Sequence, residues 1–206
     1  MRAVTERALN IVFDLGGVVL TWQPDAIIAS AFDDPATRAM VRREILDHPD
    51  WHELDRGTLP RLEAILRAAQ RTGLPETAVD AFLRRVPPAL VPIPATVELL
   101  HRVKAAGHPL YCLSNMHVAS IEHLERTCSF WPLFEGTVIS CRVRLCKPEP
   151  AIYQHLLETH GLVGTDTVFV DDVDVNLAAA AAFGIRTIRF ENAAQCEREL
   201  QALGCL

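Results

Sequence analysis

The sequence predicts an α/β fold: a Rossmann-like parallel sheet with helices on both faces, plus a small all-helical cap inserted after the first strand. Three observations predict it. Short apolar runs alternate with helix-like stretches, the rhythm of βα units. Those runs lack period-two alternation, as strands buried on both faces should. One long stretch, from about 22 to 91, holds several amphipathic helical patterns and no convincing strand. A chain of 206 residues can bury a substantial core, as one domain or a domain with an insertion.

The first strand is expected at 10–14 (NIVFD), ending on Asp14, with Leu15 and the pair Gly16-Gly17 behind it. Helices are expected over 25–32, 35–47, 59–72 and 76–86, punctuated by Gly57-Thr58 and Gly73. Pro87-Pro88, Pro92 and Pro94 mark the return to the sheet. The expected division is therefore a core of 1–21 and 92–206 and a cap of 22–91. A helix over 96–106 gathers Val97, Leu99, Leu100 and Val103 on one face and ends at Gly107, a good C-cap. Strands follow at 109–113 and 137–140. A helix over 148–160 has proline near its start and Gly161 after its end. A strand at 167–170, an Ala-rich helix over 174–183 stopping at Gly184, and a strand at 186–190 complete the pattern.

Half the residues are apolar and under a quarter are charged, a soluble globular profile. The net charge of -6 argues against nucleic acid, although it leaves room for a local anion site. No segment reaches the roughly 20 apolar residues that span a bilayer. The first 20 residues are not expected to act as a signal peptide, because the apolar stretch is short and broken by Asp14. The six cysteines are scattered, and Cys141 and Cys146 lack a second Cys/His pair for zinc. Reduced thiols filling core positions in a cytoplasmic protein are the expectation, with no nucleic-acid or membrane partner. The sequence specifies no oligomeric state.

Ligands of open parallel sheets bind beyond the carboxyl ends of the strands. The first strand ends in Asp14 and the second in Ser114-Asn115. Lys147 follows the third past a short loop, and Asp171-Asp172 follow the fourth. Taken singly, each has an ordinary structural reading: a helix cap or turn for Asp14 and Ser114-Asn115, a solvated charge for Lys147, a capped helix start for DDVD. Together they bring carboxylate, hydroxyl and amide, ammonium and a carboxylate pair to one rim. Four coincidences on one sheet edge make the structural reading the weaker one.

The set FDLGGV, LSN, KPEPAIYQ and VFVDDVDVN resembles the four motifs of the haloacid dehalogenase-like (HAD) superfamily. Within it, the chain is most similar to the branch of glucose-1-phosphate phosphatase and the phosphatase domain of soluble epoxide hydrolases. WHELDRGTL at 51–59 is similar to a cap-helix motif of that branch. The resemblance implies that Asp14 is a nucleophile forming an aspartyl-phosphate, and that Ser114 and Lys147 bind phosphoryl oxygens. It implies that Asn115 positions the group or its loop, and that Asp172 ligates magnesium with Asp14 and the Gly16 backbone oxygen. Asp171 would act from a second layer, and Asn176 would steady that loop. The implied activity is Mg2+-dependent hydrolysis of a small phosphorylated metabolite, sugar phosphates among them.

The chemistry agrees with those roles. A carboxylate attacking an anionic phosphate needs its charge offset, which a hard oxygen-loving ion and a lysine provide. Gly16 and Gly17 allow sharp turning and close phosphate approach, although Gly17 also reads as an ordinary tight turn. The sequence departs from most HAD phosphatases at Gly16, where a second Asp usually shuttles protons. Such a shuttle contributes about 10²–10⁴-fold. The stand-ins are a leaving group that needs little protonation, or His117, His52 or Asp55. Trp22, Trp51, His52, Asp55 and Arg56 are the insert residues expected to face the cleft. Three rivals remain: a metal-independent 2-haloacid dehalogenase, a catalytically weak phospho-metabolite-binding protein, and, last, a phosphotransferase such as a mutase.

Overall fold

The computed structural model describes residues 8–206, so the first seven residues of the expected core segment 1–21 lie outside the described residues. Strands β1 (Asn10–Phe13), β2 (Leu110–Ser114), β3 (Phe134–Ile139), β4 (Thr167–Asp171) and β5 (Arg186–Arg189) form one sheet in the order β3-β2-β1-β4-β5. Every pairing is parallel. The chain builds β2 and β3 on one side of β1, and β4 and β5 on the other. The carboxyl end of β1 is therefore a topological switch point, where such sheets open a crevice.

Before β2 come α1 (Pro24–Ala29), α2 (Pro35–Val41), α3 (Pro49–Arg56), α4 (Arg61–Thr72), α5 (Glu76–Ala89) and α6 (Pro94–Ala105). A π-helical turn, Arg42–Leu46, extends α2. The later connections carry α7 (Val118–Thr127), α8 (Ser140–Val143), α9 (Pro150–His160) and α10 (Asp174–Ala181), and α11 (Ala193–Ala202) follows β5. Alternate residues of the central strand feed opposite cores. Ile11 and Phe13 pack with Leu99 and Leu100 of α6, Leu124 of α7 and Leu200 of α11. Val12 packs with Leu113, Phe169, Tyr153 and Leu156 of α9 and Leu177 of α10. Both faces are covered, which is why the strands read as continuous apolar runs.

Helices α1 to α5 enclose a core of their own. Ile27, Ile28, Val41, Ile45, Phe82 and Leu83 form an apolar cluster separate from those on the sheet. Removing the fully buried Phe82 ring would cost about 3–5 kcal/mol. The two segments joining this helical block to the sheet run side by side. Thr21 N–H donates to the Val91 carbonyl and Ile93 N–H to the Val19 carbonyl, both at 2.8 Å.

Several elements depart from the sequence reading. Helix α3 is announced by the WHELDRGTL motif but not by apolar periodicity, since it is only eight residues long and few of them are apolar. Its termini explain it: Pro49 opens the first turn, the His48 ring accepts from Asp50 N–H at 3.1 Å, and Gly57 closes it at φ +76°. Helix α5 runs through Pro87 and Pro88 instead of stopping before them; both lie in its last turn, and Leu90 N–H still reaches the Pro87 carbonyl. Strand β3 starts at Phe134, ahead of the expected 137, because an edge strand can alternate exposed and buried residues. Helices α7 and α11 were also not foreseen; His117 and Asn192 cap their first turns. All six cysteines are unpaired, and Cys112, Cys146, Cys196 and Cys205 are buried. Among the described residues, no helix is long and apolar enough to cross a membrane.

Candidate active site

Asp14 extends β1 by one residue. Its N–H still donates to the Val170 carbonyl at 2.9 Å, and its side chain leaves the sheet where pairing stops. Ser114 and Asp171 are the last residues of β2 and β4, and Lys147 lies between α8 and α9. All four are buried. Lys147 Nζ lies 3.0 Å from Asp14 Oδ1 and 2.6 Å from Asp171 Oδ2. Four distant parts of the sequence thus meet at the rim.

Hydrogen bonds fix most of these groups. The Asn115 side chain grips the Lys147 backbone in both directions, donating to its carbonyl and accepting from its N–H, each at 2.9 Å. Asp171 accepts from Asn176 Nδ2 at 3.1 and 3.2 Å and from Val173 N–H at 2.8 Å, besides Lys147. Asp14 accepts from Leu15 N–H at 2.7 Å and from the Ser114 hydroxyl. The Asp172 carboxylate differs. Among the described residues, it takes a hydrogen bond only from its own backbone amide.

The charge balance of this cluster is incomplete. Ligand oxygens of Asp14, Asp171 and Asp172 all lie within 4.8 Å of one another, and among the described residues a single ammonium pairs with them. Burial raises the Asp14 carboxyl, Lys147 opposes the shift and the Asp171 charge adds to it. Burial and Asp171 raise Asp172 as well. Burial alone would discharge Lys147, but Asp14 and Asp171 hold its pKa above the usual lysine value. A hard divalent cation with oxygen ligands fits this donor set, because it supplies the positive charge the carboxylates lack. Asp172, with its carboxylate otherwise uncommitted, is the side chain free to hold one beside Asp14.

The two glycines divide their duties differently from the sequence reading. Gly17 has φ +79°, and a Cβ there would run into the Asp172 carboxylate. Gly16 has open space where a Cβ would stand, so no packing demands a glycine. What Gly16 lacks is an acid.

Beyond the rim lies a cavity of about 220 Å³. Asp14, Gly16, Ser114, Lys147 and Asp172 form its polar end; Trp22, Trp51, Val86, Leu90 and Met116 form an apolar wall. The rings of Trp22 and Trp51 are 6.2 Å apart, and Trp51 meets the His117 ring edge-on at 5.6 Å. Asp55 reaches this cavity from α3, accepting hydrogen bonds from His117 N–H and the Trp51 indole. Burial pushes its pKa to about 7, against the effect of those two bonds.

Of the insert residues expected to face the cleft, Trp22, Trp51 and Asp55 do. His52 and Arg56 line no part of the cavity. Arg56 forks onto Glu149, with Nη1 2.7 Å from Oε2, and its Nη2 lies 3.0 Å from His52 Nε2. These two tie α3 to the start of α9. His117 lines the cavity, but both ring nitrogens engage Ser120. Burial and Arg61 lower its pKa to about 4. Val86, Leu90 and Met116 carry no motif, and only the packed fold reveals them.

A family model described as haloacid dehalogenase-like hydrolase matches residues 10–184. The sesquiterpene phosphatase astK of Aspergillus oryzae is 27% identical over 195 residues, covering 94% of this chain and 96% of that protein. Bifunctional epoxide hydrolase 2 of Mus musculus is 39% identical over 74 residues, which is 36% of this chain and 13% of that much longer protein. A HAD family enzyme of Bacteroides thetaiotaomicron, solved in complex with magnesium and inorganic phosphate, superimposes with a TM-score of 0.69 at 20% identity. That match covers 90% of this chain and 95% of the other. At that identity the likeness is one of fold.

Proposed function

The chain belongs to the haloacid dehalogenase-like hydrolases, and on that premise we propose that it is a Mg2+-dependent phosphomonoesterase acting on a small organic phosphate through a phosphorylated Asp14. One observation carries the reading: the uncommitted Asp172 carboxylate converges with Asp14 beside a single buried lysine. That excess of negative charge suits a cation and an anionic substrate. Displacing halide from a 2-haloacid without metal gives it no use. The phosphatase named among the relatives and the magnesium and phosphate of the structural neighbour support the same reading.

Asp14, the Gly16 carbonyl and Asp172 would hold the ion, with Asp171 braced behind them by Lys147 and Asn176. When bound, magnesium offsets the repulsion between the Asp14 carboxylate and the phosphate. The Ser114 hydroxyl and the Lys147 ammonium bind phosphoryl oxygens and orient phosphorus toward Asp14. Asn115 holds the Lys147 backbone so that its charge is placed before the substrate arrives. Asp14 then forms a bond to phosphorus as the ester oxygen departs, and water releases phosphate from Asp14 in a second step.

Residues 22–91 act in this reading as a cap over the core of 1–21 and 92–206, shielding the reaction from bulk water. The cap side of the cavity offers aromatic and hydrocarbon contacts and few free polar ones. An ester with an apolar organic group suits that wall better than a polyhydroxylated sugar, and the relative named for a sesquiterpene substrate points the same way.

Release of phosphate from para-nitrophenyl phosphate, measured with magnesium and with excess chelator, tests the activity. The expected result is turnover that the chelator abolishes. Undiminished turnover in chelator, or halide release from 2-haloacids without phosphate release, would replace this reading with the dehalogenase.

A further inference from the structure

Resting on that phosphatase reading, we propose that Asp55, reaching the cavity from helix α3, gives the leaving group the proton that Gly16 cannot supply. Three carboxyl groups line the cavity: Asp14, Asp172 and Asp55. Asp14 is committed to phosphorus and Asp172 to the cation. Asp55 remains, carried into the cavity by the insert, the part of the wall that this reading gives to the organic group of the ester. Its neighbours are the apolar wall and not the rim charges.

The surroundings suit an acid. The Trp51 indole and His117 N–H hold the carboxyl in place, and the Ser140 hydroxyl donates to the Asp55 carbonyl at 2.5 Å, fixing that turn of α3 against the core. The Arg56–Glu149 ion pair secures the next residue. Burial keeps the carboxyl protonated up to about pH 7. The histidine and cysteines around it are uncharged at that pH, while the charge of the neighbouring Arg56 is paired with Glu149 and Arg61 stands near His117. His117, at the head of α7, titrates near 4; Cys141 of α8 is raised by burial, and Cys146 beyond it is raised to about 12. The other stand-ins are unsuited, since the His117 ring is spent on Ser120 and His52 lies outside the cavity.

The proton balance closes. As Asp14 bonds to phosphorus and the ester P–O bond breaks, the Asp55 O–H proton passes to the departing oxygen, giving an alcohol. The Asp55 carboxylate then takes a proton from the water attacking the phosphorus on Asp14. Phosphate leaves, and both side chains return to their starting states. Gly16 needs no acid if the proton arrives from the cap.

The test compares two esters in Asp55→Asn, which keeps an acceptor for Trp51 and His117. Para-nitrophenyl phosphate has a leaving group that needs no proton; an alkyl phosphate does not. Read in a single turnover, before water attacks the phosphorylated Asp14, the expected result is a loss of about 10²–10³-fold in the rate of alcohol release from the alkyl ester, within the usual range for general acid catalysis, with nitrophenol release changed less than about threefold. Adding Gly16→Asp to that variant should restore part of the alkyl activity. Equal losses in that first step on both esters would make Asp55 a structural residue and overturn the proposal; so would no loss in it on either. Turnover of the aryl ester by the unaltered protein keeps the phosphatase reading standing in both cases. Absence of any turnover by the unaltered protein would overturn both.

Discussion

The two ends of the cavity are built on different principles. At the sheet rim, Lys147, Asp171, Asn176 and Asn115 are locked by hydrogen bonds on nearly every polar atom. At the insert end, Trp22, Trp51, Val86 and Leu90 offer surface without direction, and Asp55 is the lone acid. The rim is placed by backbone topology, since parallel strands must end together and the residues behind them must meet. The insert wall is placed by the packing of a separate helical core. In the proposed reading, phosphoryl transfer therefore belongs to the sheet, and the fit and protonation of the organic group belong to the insert.

The strongest way to break this contrast is to disturb the rim. Lys147→Met leaves Asp14 and Asp171 without their shared ammonium in a buried site. Losing one partner of a buried ion cluster costs about 3–5 kcal/mol. The urea midpoint should fall accordingly at pH 7, and adding magnesium should recover part of the loss. A change under about 1 kcal/mol would mean that the rim is wetter than its burial indicates.

A smaller effect sharpens the division between the two glycines. Gly17→Ala forces a side chain into a left-handed backbone and against Asp172, which should cost about 1–2 kcal/mol and weaken magnesium binding. Gly16→Ala meets nothing and should leave magnesium binding, followed by calorimetry, almost unchanged. Equal effects at both positions would erase the distinction.

A further effect lies at the insert. Asp55 has a folded pKa of about 7, well above the unfolded carboxylate value. The folded state thus binds a proton that the unfolded state releases. The stability gained from the neutral carboxyl is complete below about pH 4 and is lost as pH rises through 7. Asp55→Asn should therefore gain on the unaltered protein between pH 5 and pH 8, by a few degrees in Tm. A constant difference across that range would show that Asp55 titrates normally.

The rim was legible in the sequence because one rule about strand ends turns positions in the chain into positions in space. Asp14, Ser114, Lys147 and Asp171 needed no more than that. The glycines were less legible, since sequence does not report φ; the open position proved to be Gly16 and the constrained one Gly17. Helix α3 was legible only through the WHELDRGTL resemblance, because its capping residues, not apolar periodicity, define it. The orientation of its face was not legible, so His52 and Arg56 were assigned to the cleft with Asp55, though they turn to Glu149. Val86, Leu90 and Met116 depend on how the insert sits over the sheet, which no local pattern encodes.

The most direct measurement is an acid quench during turnover of para-nitrophenyl phosphate with magnesium, followed by peptide mapping by mass spectrometry. The account predicts phosphate on the peptide carrying Asp14, absent when the chelator is present and absent in Asp14→Asn, which should also lose turnover. Undiminished turnover by Asp14→Asn, or phosphate trapped on a different side chain, would contradict it.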